Sequence, residues 1–120
     1  MLALVGPLGA GKTVFVKGLA AGLGFRPRDV VSPTFTIVHE HAGTVPLFHA
    51  DLYRLGGPAQ VAELGLEDYA ARGGILAVEW AERAGDALPR GAVTITFTVT
   101  GPRSRRIAVS PPAADGESGR

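Results

Sequence analysis

Gly6-Pro7-Leu8-Gly9-Ala10-Gly11-Lys12-Thr13 satisfies the phosphate-binding pattern G-x-x-x-x-G-K-[ST] at every fixed position. No other feature constrains the fold of this chain as tightly. The pattern works only where a strand delivers the loop and a helix leaves it. Glycines let the backbone curl so that successive N–H groups point at phosphate oxygens. A lysine in the Lys12 position sets its ammonium on the β- and γ-phosphates, and a hydroxyl in the Thr13 position ligates Mg²⁺. The helix that follows turns its positive end toward the same anions.

Both flanks agree with that demand. Leu2-Ala3-Leu4-Val5 is a short apolar run suited to a buried parallel strand. Beyond the loop, Val14, Phe15, Val16, Leu19, Ala20 and Leu23 recur at helical spacing, and Gly24 is a natural stop. The 120 residues suit a single domain with a modest core, and the 46% apolar and 19% charged content is that of an ordinary globular chain. A net charge of +1 gives no electrostatic case for direct DNA or RNA binding. No apolar run reaches the length of a membrane span, and the first residues lack a leader pattern. The absence of cysteine excludes disulfides and thiolate metal sites and is compatible with the cytoplasm.

Further along, Phe35–His39 and Val45–Ala50 read as strands, with Pro46 suited to a strand start or an edge. Ala59–Leu64 and Leu66–Ala71 read as short helices broken near Gly65. Ile75–Val78 reads as a buried strand and Ala81–Leu88 as a short helix. Val93–Thr100 alternates Val93, Ile95, Phe97 and Val99 against threonines, the pattern of a half-buried strand. Gly101-Pro102 and Arg103 to Arg106 read as a turn, with Ile107–Val109 as the return strand. The resulting expectation is an α/β, P-loop NTPase-like three-layer fold, a central mixed sheet flanked by helices over residues 1–109. Residues 110–120, rich in Pro, Gly, Ala and charge, read as a disordered tail.

Phosphate binding is not hydrolysis, which also needs a carboxylate near the metal and a group that positions water. Two apolar strands end in acids: one at Asp51, the other at Glu79. Periodicity does not rank them, and either can be a plain strand-end charge; Asp51 also suits a turn cap. Ser32-Pro33-Thr34 is a stiffened loop with two hydroxyls, suited to a phosphate or a water as well as to an ordinary turn. His39 and His41 share a strand face near His49, a pattern better explained by polar strand positions than by a metal site. Arg103, Arg105 and Arg106 suit a solvated hairpin tip, or a phosphate, RNA or lid contact. Trp80 suits either the core or a shield over the metal site.

Taken in order, the P-loop, Ser32-Pro33-Thr34-Phe35-Thr36, His49-Ala50-Asp51-Leu52-Tyr53-Arg54-Leu55, Glu63-Leu64-Gly65-Leu66-Glu67-Asp68-Tyr69 and Val78-Glu79-Trp80 closely resemble the TsaE (YjeE) family of bacterial ATPases. The resemblance runs from about Leu2 to Val109. It implies a weak, Mg²⁺-dependent ATP hydrolase in the cytoplasm. Such proteins serve formation of threonylcarbamoyladenosine next to the anticodon, in tRNAs reading codons that begin with A. The implied partners are TsaB and TsaD, with tRNA reached indirectly through that complex, and hydrolysis is expected to reset the complex between turnovers.

Carried over by position, Gly9, Ala10, Gly11, Lys12, Thr13 and Val14 form the nucleotide-binding segment. Thr13 and Glu79 match the magnesium ligands, and Asp51, with Lys12, matches the catalytic positions. Thr34 and Trp80 fall in family motifs near the site or a partner surface. The chain departs from the family at Pro7, where relatives carry an acid, and has only five residues ahead of Gly6. Relatives place a helix and a strand there to help hold the base, so the chain is expected to lack that support. A small-molecule P-loop kinase, with the arginines as lid and Asp51 as base, and a non-catalytic nucleotide-gated scaffold are the competing readings. No N-K-x-D segment is present to read guanine.

Overall fold

A computed structural model describes residues 1–30 and 37–112. Six strands form one sheet in the order β2-β3-β4-β1-β5-β6. They are β1 (Leu2–Val5), β2 (Val38–His41), β3 (Leu47–Asp51), β4 (Ile75–Glu79), β5 (Val93–Gly101) and β6 (Ser104–Ser110). The four inner strands β3, β4, β1 and β5 run parallel, while β2 and β6 return antiparallel at the two edges. The mixed α/β sheet expected from the sequence is the one observed.

Side chains alternate between the faces of this sheet, so each strand contributes to two cores. Helix α1 (Lys12–Gly22) covers one face, packing Val16 and Ala20 against Leu4, Leu47, Ala77, Ile95 and Phe97. The other face buries Phe48, Ala50, Leu52, Leu76 and Val78 beneath Val61 of α2 (Pro58–Ala62) and Leu66 of α3 (Leu66–Ala70). These are three layers, helix on sheet on helix. Phe15 meets Phe97 edge-to-face at 5.7 Å, which ties α1 to β5.

Local differences from the sequence reading have local causes. Residues 81–88 do not make one helix. They form two 3₁₀ turns, Ala81–Arg83 and Gly85–Ala87, the second opening on Gly85 at φ 51°. β3 begins at Leu47 and lies inside the sheet, not at an edge: Pro46 stands just ahead of it and accepts the Ile75 N–H through its carbonyl. The return strand β6 is longer than expected and takes in Arg105 and Arg106, which pair opposite Val99 and Thr98. β2 runs Val38–His41; Phe35 and Thr36 of the expected Phe35–His39 strand lie outside the described residues, and the strand extends past His39 to His41. Ser32, Pro33 and Thr34, and most of the expected tail, lie outside the described residues.

The sheet register decides where the site falls. Leu4 and Asp51 are each level with Glu79, so β1, β3 and β4 end together at one rim. The loop leaving β1 therefore opens beside both strand-end acids. Ligand sites of parallel α/β sheets lie at this carboxyl end.

Candidate nucleotide site

Residues 6–11 form the loop between β1 and α1. Gly6 leaves the strand at φ 154°, and a Cβ there would stand 2.7 Å from the Phe97 carbonyl oxygen. Only glycine lets the loop pass β5 so closely. Gly11 caps α1 in the left-handed region at φ 104°, and a Cβ there would meet nothing within 4 Å. Its glycine answers to backbone conformation and to an open space in front of the loop. Ala10 N–H closes a turn onto the Pro7 carbonyl at 3.2 Å. No side chain caps α1, so its first amides keep the unmet donors of a helix start. That end is an anion receptor with the dipole behind it.

Lys12 is only 4% exposed. Its ammonium donates to the Gly6 carbonyl and lies 3.4 Å from the centroid of the Trp80 ring. Among the described residues no carboxylate forms an ion pair with it. Burial pushes its pKa below the ordinary lysine value, while the carboxylates of Glu82, Glu79 and Asp51 pull the other way. A buried cation facing a cavity, held by a carbonyl and a ring, is a charge suited to an incoming anion.

The Thr13 hydroxyl donates to both oxygens of Glu79, at 3.0 and 3.1 Å. Glu79 is 3% exposed. His49, fully buried on β3, places Nε2 2.5 Å from Glu79 Oε2. Asp51 sits at the end of the same strand, and its Oδ1 accepts the Tyr53 N–H at 2.9 Å. A cavity of about 260 Å³ brings the pieces together: Gly9, Gly11, Lys12 and Thr13 of the loop, with Asp51 and Glu79 from the two strands. Leu8, Val14 and Trp80 supply its apolar lining. Ala10 is buried beneath the loop and is not part of that lining.

This donor set fits a magnesium nucleotide. Hydroxyl and carboxylate oxygens suit a hard divalent cation, and the ammonium with the helix end suits phosphate. Thr13 and Glu79 could hold such a cation between them, and Lys12 with the glycine loop could hold the phosphates.

Three participants carried weaker sequence signals. His49 is one strand period before Asp51, so both stand on the same face; that spacing is visible in the sequence, but the reach to Glu79 depends on β3 lying beside β4. Trp80 resolves as a half-buried ring over Lys12, with Tyr53 at 4.9 Å, and also packs against the apolar core beneath α2 and α3. Its backbone is left-handed, at φ 57°. Arg105, on an exposed strand, reaches the Gly9 carbonyl at 3.3 Å, a contact no local pattern announces. His39 and His41 do share a face, but no group of three metal-binding side chains forms among the described residues.

Comparison with known proteins places this geometry. The family model described as "Threonylcarbamoyl adenosine biosynthesis protein TsaE" matches residues 1–107. The chain belongs to the TsaE family. It is 39% identical over 110 residues to the tRNA threonylcarbamoyladenosine biosynthesis protein TsaE of Treponema pallidum, covering 92% of this chain and 81% of that one. It is 44% identical over 108 residues to the TsaE protein of Bacillus subtilis, covering 89% of this chain and 66% of that one. The crystal structure of Bacillus subtilis YdiB superposes with a TM-score of 0.74 at 35% identity, covering 98% of this chain and 71% of that chain. The TsaE resemblance read from the motifs is thus borne out over almost the whole chain, and its P-loop-like α/β architecture with it. No helix among the described residues is long and apolar enough to cross a membrane.

Proposed function

We propose that this TsaE-family chain is a weak, magnesium-dependent ATPase of the cytoplasm that works with TsaB and TsaD in making threonylcarbamoyladenosine next to the anticodon. The observation that carries the reading is the Thr13–Glu79 pair beside the buried Lys12 ammonium, all on one open cavity. When bound, the magnesium nucleotide supplies the phosphoanhydride bond and neutralises charge on its phosphate oxygens.

The chain's own residues do the rest. The amides of Gly9 to Val14 and the Lys12 ammonium hold the phosphates. Thr13 and Glu79 hold the metal through hydroxyl and carboxylate oxygens. Asp51, its carboxylate oriented by the Tyr53 N–H, positions the attacking water and takes its proton. Trp80 covers the Lys12 side and keeps water off the ammonium. The tRNA is met through the TsaB–TsaD pair, in line with the chain's net charge of +1.

The test uses the chain assembled with TsaB and TsaD. Asp51→Ala keeps ATP binding but loses phosphate release by about 100-fold or more, within the usual range for a general base. Glu79→Ala weakens ATP binding about 10- to 100-fold in Mg²⁺ and leaves binding in EDTA unchanged, the scale of a lost metal contact. Normal phosphate release by Asp51→Ala would remove Asp51 from catalysis. Transfer of labelled γ-phosphate to a small metabolite would replace the ATPase reading with a kinase.

A further inference from the structure

His49 lies midway along β3, fully buried, at a position where leucine or phenylalanine would pack without polar cost. Its hydrogen-bond partner among the described residues is Glu79. Nδ1 on the far side of the ring is buried and has no partner among the described residues. A carboxylate oxygen accepts, so the hydrogen between the two groups belongs to Nε2. The opposite tautomer would face two acceptors at 2.5 Å and bury an unmet N–H, which is the costlier arrangement.

Glu79 has a second possible attraction. The Lys12 ammonium is close enough for the Glu79 charge to act on it, and both groups are buried. At low dielectric an unrestrained carboxylate would swing onto the ammonium. The two do not form an ion pair. Instead Oε2 is taken by His49, and the Thr13 hydroxyl spans both oxygens.

We propose that His49 is a positioning residue: its Nε2–H holds the Glu79 carboxylate against the Thr13 hydroxyl and away from Lys12, which keeps a metal site and a phosphate site separate. The inference rests on Glu79 being a magnesium ligand. Buried partners of metal ligands act this way elsewhere, by fixing the ligand's orientation. Without His49 the ammonium and carboxylate neutralise each other, and the metal loses its seat.

The measurement is ATP binding by calorimetry, in Mg²⁺ and in EDTA, on the full chain. The ratio of the two dissociation constants reports the metal's contribution. His49→Asn cannot reach Glu79 and shrinks that ratio about 10-fold, the lower end of the range for such partners. His49→Gln places an amide N–H where Nε2 was and stays within about threefold of the unaltered protein by the same measure. His49→Gln leaves binding in EDTA unchanged. His49→Asn weakens it, because Glu79 then neutralises Lys12, but by less than in Mg²⁺, whereas a merely structural loss would be the same in both. A second readout needs no variant: ¹⁵N-histidine spectra show His49 with its proton on Nε2.

Equal ratios for His49→Asn and the unaltered protein, parallel losses in Mg²⁺ and EDTA, or an Nε2 without a proton would each overturn the proposal. Glu79→Ala separates the two levels of the argument. An unchanged ratio there removes the metal role of Glu79 itself. A collapsed ratio there, with His49→Asn unaffected, removes only the role of His49.

Discussion

On the sheet face beneath α2 and α3, the buried strand residues Phe48, Ala50, Leu52, Leu76 and Val78 are all apolar. On the face beneath α1, the same strands bury His49 and Glu79 next to Lys12. The two faces differ by one residue of register along each strand. One is closed by packing alone. The other is closed by packing at its β-strand starts, through Leu47, Ile75 and Leu2, and turns polar toward the ends of β3 and β4. The lesson is that the site is not added to the fold as a loop decoration. It replaces the last layer of one core, and the opposite core supplies the rigidity that lets three buried polar groups stand close without collapsing together.

The comparison can be broken most sharply on the packing face. Leu76 is 1% exposed, and Leu76→Ala is expected to cost about 2–5 kcal/mol of stability, the range for a cavity left in a core. Urea unfolding measures it, and the Mg²⁺ dependence of ATP binding should not move while the variant is folded. A loss below about 1 kcal/mol would mean that this face relaxes far more than a close-packed core does.

A smaller effect sharpens the site face. Lys12 and Trp80 should show a coupling of about 0.5–2 kcal/mol in a Lys12→Met, Trp80→Leu double-mutant cycle, the worth of a desolvated cation over a ring. Strict additivity of the two changes would show that the ring does not hold the ammonium in solution.

The smallest effect lies at the edge of the same face. Burial first, then the neighbouring His49 and His39, push the His41 pKa below the ordinary histidine value of 6.5, against an opposing pull from Asp29. The unfolded chain therefore takes up the proton first as pH falls through 6.5. In the window from there down to the lower folded value, the unfolded state binds more protons and stability declines with falling pH. His41→Gln removes this contribution, so its stability should fall less between pH 7 and pH 5. Identical slopes in thermal melts would dismiss the effect.

How much of this was legible differs from residue to residue. The loop from Gly6 to Thr13 was readable because each fixed position answers to local backbone or phosphate chemistry. The ends of β3 and β4 were readable as apolar runs stopping at acids. Asp51 and Glu79 could not be ranked from those runs, because the Thr13 hydroxyl that distinguishes Glu79 lies 66 positions away. The helix expected over 81–88 failed for a local reason: Gly85 and the left-handed Trp80 interrupt the backbone, and a helical pattern of apolar residues does not register such breaks. His49 looked like an ordinary strand histidine, since its meaning depends on which strand lies beside it.

By itself, then, the sequence determined the phosphate loop, the two strand-end acids and the family, since these rest on residue types at short, fixed spacings. Tertiary structure alone decided that β1, β3 and β4 end level, that Thr13 meets Glu79 and not Asp51, and that His49 and Trp80 serve the same cavity. The physical reason is that strand order and register are set by the burial of two whole faces at once. No segment of the chain carries that information alone.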